Sequence, residues 1–163
     1  MTDIRASHGA VLAWLWLLIG LVSGISGFIW GGVSDKWGRR VGLICVFALQ
    51  GLSFLILGLW QKPPGVWCSS GLFALTAWSV PALMAALSGD VFGARLAPAA
   101  LGLMTIVFGV GQALGPWLAG RIADATHSFA PAFMLAGLVA LVWGVGGSLL
   151  LRRLEHNHGD VRG

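Results

Sequence analysis

Two long stretches of this chain carry no charge at all: residues 10–33 and, after a short interruption, residues 41–60. Each reaches the roughly 20 apolar residues that a helix needs to cross a bilayer. Composition decides whether such runs belong in lipid or in a large soluble core. The chain is 57% hydrophobic and only 10% charged, with a mean hydropathy of +0.85. An ordinary soluble domain carries about 25% charged residues. The reading is an all-α integral membrane protein.

Three further apolar runs, 66–87, 98–122 and 130–151, bring the expected number of transmembrane helices to five. A short polar lead (1–9) precedes them and a polar tail (154–163) follows. Gln61-Lys62-Pro63-Pro64-Gly65 reads as a turn, because paired prolines and a glycine end a helix. Ser88 to Ala97 reads as a loop in which Asp90 and Arg95 pair, and Pro98 suits the start of the fourth span. Pro81 is expected to kink the third, and Asp124 to Ser128 turn the chain before the fifth. In the first span, small residues four apart (Gly20/Gly24, Ser23/Gly27, Gly27/Gly31) form a flat face suited to a closely packed neighbour.

With five spans the termini lie on opposite sides. Lys36, Arg39, Arg40, Arg95, Arg152, Arg153 and Arg162 fall on one side, against Arg5, Lys62 and Arg121 on the other. The positive-inside bias therefore places the first loop and the C-terminus in the cytoplasm. The same loops account for the net charge of +4, so no nucleic-acid partner is expected. Trp14, Trp16, Trp60 and Trp67 lie near span ends, where indoles favour the interface. Cys45 and Cys68 read as small packing residues rather than a disulfide or metal pair. The four histidines are scattered over loops and tail. No nucleophile–base arrangement, metal spacing or phosphate loop appears, so neither an enzyme nor a cofactor is expected.

Between the first two runs stands Gly31-Gly-Val-Ser-Asp35-Lys36-Trp-Gly38-Arg39-Arg40. The pattern Gly-x-x-x-Asp-[Arg/Lys]-x-Gly-Arg-Arg resembles the inter-helix loop signature of the major facilitator superfamily of secondary transporters. Gly31, Asp35, Lys36, Gly38, Arg39 and Arg40 all match it. In the fourth span, Gly102, Gly111, Gly115, Pro116 and Gly120 resemble the glycine-proline signature of that family's fifth helix, with a one-residue departure at the last glycine. Read physically, these glycines permit close helix contact, and Pro116 removes a backbone donor and can kink the helix.

The separation of the two signatures matches helices two to six of a six-helix half. The absence of charge in the third span and the ending after Arg152-Arg153 point to helices eight to twelve of a twelve-helix transporter. The strings Gly102-Leu-Met-Thr105, Gly109-Val-Gly-Gln112-Ala-Leu-Gly-Pro116, Gly120-Arg-Ile-Ala-Asp124 and Ser128-Phe129 further resemble the YbfB/YjiJ-type branch. The resemblance implies location in the plasma (bacterial inner) membrane, a small-molecule cargo and coupling to a proton or another ion. It also implies an N-terminal transporter half as partner, with Asp35 latched to a helix N-terminus of that half.

Polar residues inside spans are the remaining site candidates. Gln112, with Thr105 seven residues earlier on the same face, is assigned either to a substrate path or to an interhelical hydrogen bond. Thr76, Trp78 and Ser79 form a second group, and Gln50 reads as a packing contact. Two functions stay open at this stage: a transporter part working by alternating access, and a non-transporting helical scaffold. Asp35 separates them, being required in the first and indifferent in the second.

Overall fold

The computed structural model describes residues 2–147, with side chains described for 13, 14, 16, 17 and 19–147. The end of the fifth apolar run, the Arg152-Arg153 pair and the polar tail lie outside the described residues. Helix α1 (Thr2–Trp37) is followed by α2 (Arg39–Leu59), α3 (Pro63–Ala74), α4 (Ser79–Thr126) and α5 (Ala130–Val139), which continues as a π-helical segment, Ala140–Val145. No strand occurs among the described residues. Length and apolar composition mark two described stretches as able to cross a membrane, Arg39–Leu59 and Pro63–Thr126, while Ala130–Val145 is shorter.

Several boundaries differ from the sequence reading. The lead before the first apolar run is helical from Thr2. The loop expected over residues 34–40 shrinks to one residue, because Gly38 at φ 94°, ψ 148° turns the backbone in a region open essentially to glycine alone. Pro63 and Pro64 open α3 rather than lying in a turn; in a first turn their missing N–H has no helical partner to lose. The loop expected at residues 88–97 is also a single-residue break, at Gly93 (φ 71°, ψ 168°), so the fourth helix resumes at Ala94 and Pro98 lies a turn inside it.

The break at Gly93 folds α4 back on itself. Ser88 Oγ lies 3.5 Å from Met104 Sδ although the two are 16 residues apart. Along one straight helix that separation would be about 24 Å. The first limb (79–92) and second limb (94–126) are therefore a hairpin.

Pro81 acts upstream of where a kink was expected. Proline supplies no N–H for the Ala77 carbonyl, and its ring clashes with it. The helix accordingly ends at Ala74 and restarts at Ser79, which puts Pro81 in the first turn of α4.

The interior is small and hydroxyl-rich. Leu43, Val46 and Leu83 form its apolar centre, with Trp30, Phe47, Val80, Met84 and Leu87 packed around it. Ser23, Ser26, Ser34, Ser53, Ser69, Thr76, Ser79 and Ser88 are also buried, whereas Phe28 and Trp143 are 85% and 76% exposed. Small polar residues inside and large apolar ones outside is the arrangement of helices that pack in lipid. Ser53 and Ser69 clasp α2 to α3: each hydroxyl donates to the other's backbone carbonyl at 2.9 Å.

Glycines bring α2 against α5. A Cβ at Gly51 would stand 2.6 Å from Leu141 Cγ, and one at Gly137 would stand 2.9 Å from the Gly51 carbonyl. On α1 the packing face is the serine side, not the glycine side. Ser23, Ser26 and Ser34 are buried, and a Cβ at Gly27 would meet Ala82 at 3.6 Å, while Gly20, Gly24 and Gly31 face open space.

Candidate functional site

The signature residues converge where three helix ends meet. Asp35 and Lys36 occupy the last turn of α1, Gly38 makes the break, and Arg39 and Arg40 open α2. The Arg39 guanidinium is the hub: Nε donates to Asp90 Oδ2 at 2.7 Å, and Nη1 donates to Asp35 Oδ1 and to Ser34 Oγ. Asp35 lies on α1 and Asp90 on the first limb of α4, so one side chain ties three helices. Asp90 thus pairs with Arg39 and not, as expected, with Arg95. The Asp35 and Asp90 side chains remain 65% and 54% exposed, leaving their outer oxygens free to meet further groups. Lys36 Nζ lies 6.0 Å from the Trp37 ring centroid, within cation–π range. The buried Nε of Arg40 has no hydrogen-bond partner.

A second polar cluster surrounds the interruption between α3 and α4. Trp30 Nε1 of α1 donates to the Leu75 carbonyl at 2.8 Å, and Gln50 Nε2 of α2 donates to the Thr76 carbonyl at 3.2 Å. The Trp78 backbone N–H donates to Ser26 Oγ, and Ser79 Oγ donates to the Ser26 carbonyl, both at 3.4 Å. Backbone groups released by the break are thereby met from two neighbouring helices, as non-helical backbone at membrane depth requires. Thr76 and Ser79, grouped as candidates in the sequence, stand at this break. Thr76 Oγ1 turns back to the carbonyls of Leu72 and Phe73, and the Trp78 side chain is 63% exposed.

Beside the break lies a cavity of about 710 Å³ between α2, the α3–α4 junction and the second limb of α4. Its walls include Phe47, Phe73, Met84, Met104 and Phe108, and its two amides are Gln50 and Gln112. Gln112 is among the residues that line it. Thr105 is not: its hydroxyl donates to the Leu101 carbonyl at 2.8 Å on an exposed surface. Seven residues bring Thr105 within about 20° of Gln112 around the helix. The lining stripe, however, is centred on Met104 and Phe108, so Gln112 sits at its margin and Thr105 beyond it. Gln50, expected only to pack, both caps the break and lines the cavity. The available signal was its standing as a lone amide in an uncharged span.

Among the described residues, the glycines of the glycine-proline pattern have no close neighbour from another helix. A Cβ at Gly102, Gly111, Gly115 or Gly120 would meet nothing within 4 Å, and the helix runs through Pro116 with helical backbone. Cys45 is half-buried, Cys68 is exposed, and both are free. No group of histidine, cysteine and acidic side chains able to hold a metal occurs among the described residues.

Comparison with known proteins adds an independent line. The model of the Major Facilitator Superfamily matches residues 1–163. The chain is 25% identical over 161 residues to monocarboxylate transporter 12 of Xenopus laevis, covering 95% of this chain and 35% of the relative. It is 25% identical over 151 residues to the multidrug transporter mfsB of Aspergillus fumigatus, covering 84% and 25%. It is 31% identical over 130 residues to solute carrier family 67 member A1 of Homo sapiens, covering 77% and 30%. The chain thus spans about a third or less of the length of these curated relatives. No solved structure matches it.

Proposed function

Because this chain belongs to the Major Facilitator Superfamily, and is thereby an integral membrane protein of a transporter family, we propose that it forms one wall of a secondary transporter. That transporter moves a small solute by alternating access. The observation that carries this reading is the Asp35–Arg39–Asp90 network, which ties the ends of α1, α2 and α4 at the signature. Joined in this way the helix ends move as a unit, as rocking of one half against another requires. The outer oxygen of Asp35 is then free to engage a helix N-terminus of the opposing half in one access state and release it in the other.

The second limb of α4 supports the same reading. It presents Ile106, Val110, Leu114 and Trp117 outward, each more than half exposed, beside glycines with open space over them among the described residues. Such a face suits lipid on one side and closely packed partner helices on the other. Coupling to a proton or another ion, a plasma-membrane location, and the cytoplasmic placement of the signature and the C-terminus belong to the same proposal, the last resting on the distribution of Lys and Arg. Relatives here are named for different cargoes, monocarboxylates and multiple drugs, so the family alone leaves the cargo open.

The test is uptake by a transporter chain that contains this sequence together with an opposing half. Asp35→Glu and Asp35→Asn are expected to reduce the initial rate by about two- to fivefold at equal membrane abundance, the scale of an exposed ion pair. Unchanged uptake in both variants would remove the latch.

A further inference from the structure

We propose that the cavity between α2 and the second limb of α4 is a binding site for an uncharged, ring-sized solute bearing one hydrogen-bonding group. The proposal rests on the transporter reading above and specifies its cargo class. At about 710 Å³ the cavity falls within the range of about 300–1,000 Å³ typical of small-molecule sites. Phe47, Phe73 and Phe108 supply ring faces and edges, and Met104 a soft, adaptable surface against them.

The polar content selects the ligand further. No charged side chain lines the cavity among the described residues. A carboxylate or ammonium group entering it would lose its hydration without gaining a counter-charge, a strongly unfavourable exchange. The two amides set the hydrogen-bonding capacity. Gln50 spends one N–H on the Thr76 carbonyl, which leaves its second N–H and its Oε1 for a ligand. Gln112 is exposed at the cavity margin, where it can close on the ligand's polar end from the opposite helix. Two further cavities, of about 500 and 540 Å³, have neither an amide nor a charged side chain in their walls.

Benzamide and benzoate test this directly, since they share a ring and differ in charge. Saturation-transfer NMR on the chain in lipid nanodiscs is expected to show benzamide bound and benzoate not. Gln112→Leu should weaken benzamide binding about two- to tenfold, the range for one hydrogen bond. Because Gln112 is exposed and makes no hydrogen bond among the described residues, this variant should keep its helix content. Gln50→Leu should weaken binding similarly, and Asp35→Asn should leave it unchanged. Benzoate binding as tightly as benzamide would overturn the proposal. So would benzamide binding that is indifferent to Gln112→Leu and Gln50→Leu together, which would identify simple partition into lipid. Loss of uptake in Asp35→Asn with glutamine-independent binding removes the cargo site alone. Normal uptake in Asp35→Asn with glutamine-dependent binding removes only the latch.

Discussion

Two glycine-bearing regions of this chain meet opposite fates. Along the α2–α5 seam, Gly51 and Gly137 face each other so closely that a Cβ on Gly137 would come within 2.9 Å of the Gly51 carbonyl and 2.7 Å of Leu55 Cγ. Along the second limb of α4, Gly102, Gly109, Gly111, Gly115 and Gly120 face open space. The glycine-proline pattern on α4 is the more conspicuous in the sequence, yet the close approach occurs on the less patterned pair. Small residues license contact between helices, but they do not choose the partner. The seam is already closed inside this chain, whereas the α4 face is available to helices beyond it.

Substitution separates the two regions most sharply at Gly137 and Gly115. Gly137→Leu is expected to destabilise the helical fold by about 1–3 kcal/mol through overpacking, read as a lower thermal midpoint of the circular dichroism signal in detergent. Gly115→Leu should stay within about 0.5 kcal/mol, as surface changes do. Equal sensitivity at both sites would mean that the α4 face is packed in this chain too.

An effect of similar size but different origin is expected at the signature. Gly38→Ala should cost about 1–3 kcal/mol from backbone strain, and because nothing lies within 4 Å of a Cβ there, crowding cannot be the cause. The same assay on Gly31→Ala, whose helical position is equally open, should show no loss. A loss at both positions would point to a general requirement for glycine at this helix junction.

The smallest effect tests whether hydroxyls substitute for glycines in closing a contact. Ser53→Ala and Ser69→Ala should each cost about 0.6 kcal/mol, the average for hydrogen bonds between membrane helices. The double variant should cost less than the sum, because either change breaks the same reciprocal pair. Strict additivity would mean that the two serines act separately.

Much of the fold was legible because it depends on local chemistry. The uncharged runs marked the helices, and Gly38 and the signature around it marked the first reversal. The second reversal was legible only as a region: Gly93 performs within one residue what the sequence suggested as a ten-residue loop, and a lone glycine carries no mark of its φ. The consequence of Pro81 was half visible, since proline demanded an interruption but the stopping point depended on Trp30, Ser26 and Gln50 meeting the freed backbone. Of the candidate residues, polarity alone singled out Gln112, which lines the cavity. Thr105 falls outside the cavity wall, because helical periodicity shows which residues share a face but not where the neighbouring helix lies.

What the sequence by itself determined is the membrane-embedded helical class, the signature residues and the small-residue surfaces, all consequences of side-chain polarity, volume and spacing read over a few turns. Only the tertiary structure decided that Arg39 reaches Asp90 rather than leaving it to Arg95, that Gln50 and Gln112 share a cavity, and that the α4 glycines stay open. Each of these joins residues more than fifty positions apart or concerns a surface left without a partner. Such relations follow from how the α4 hairpin folds back on α2, and no window of sequence short enough to show periodicity contains both sides of that contact.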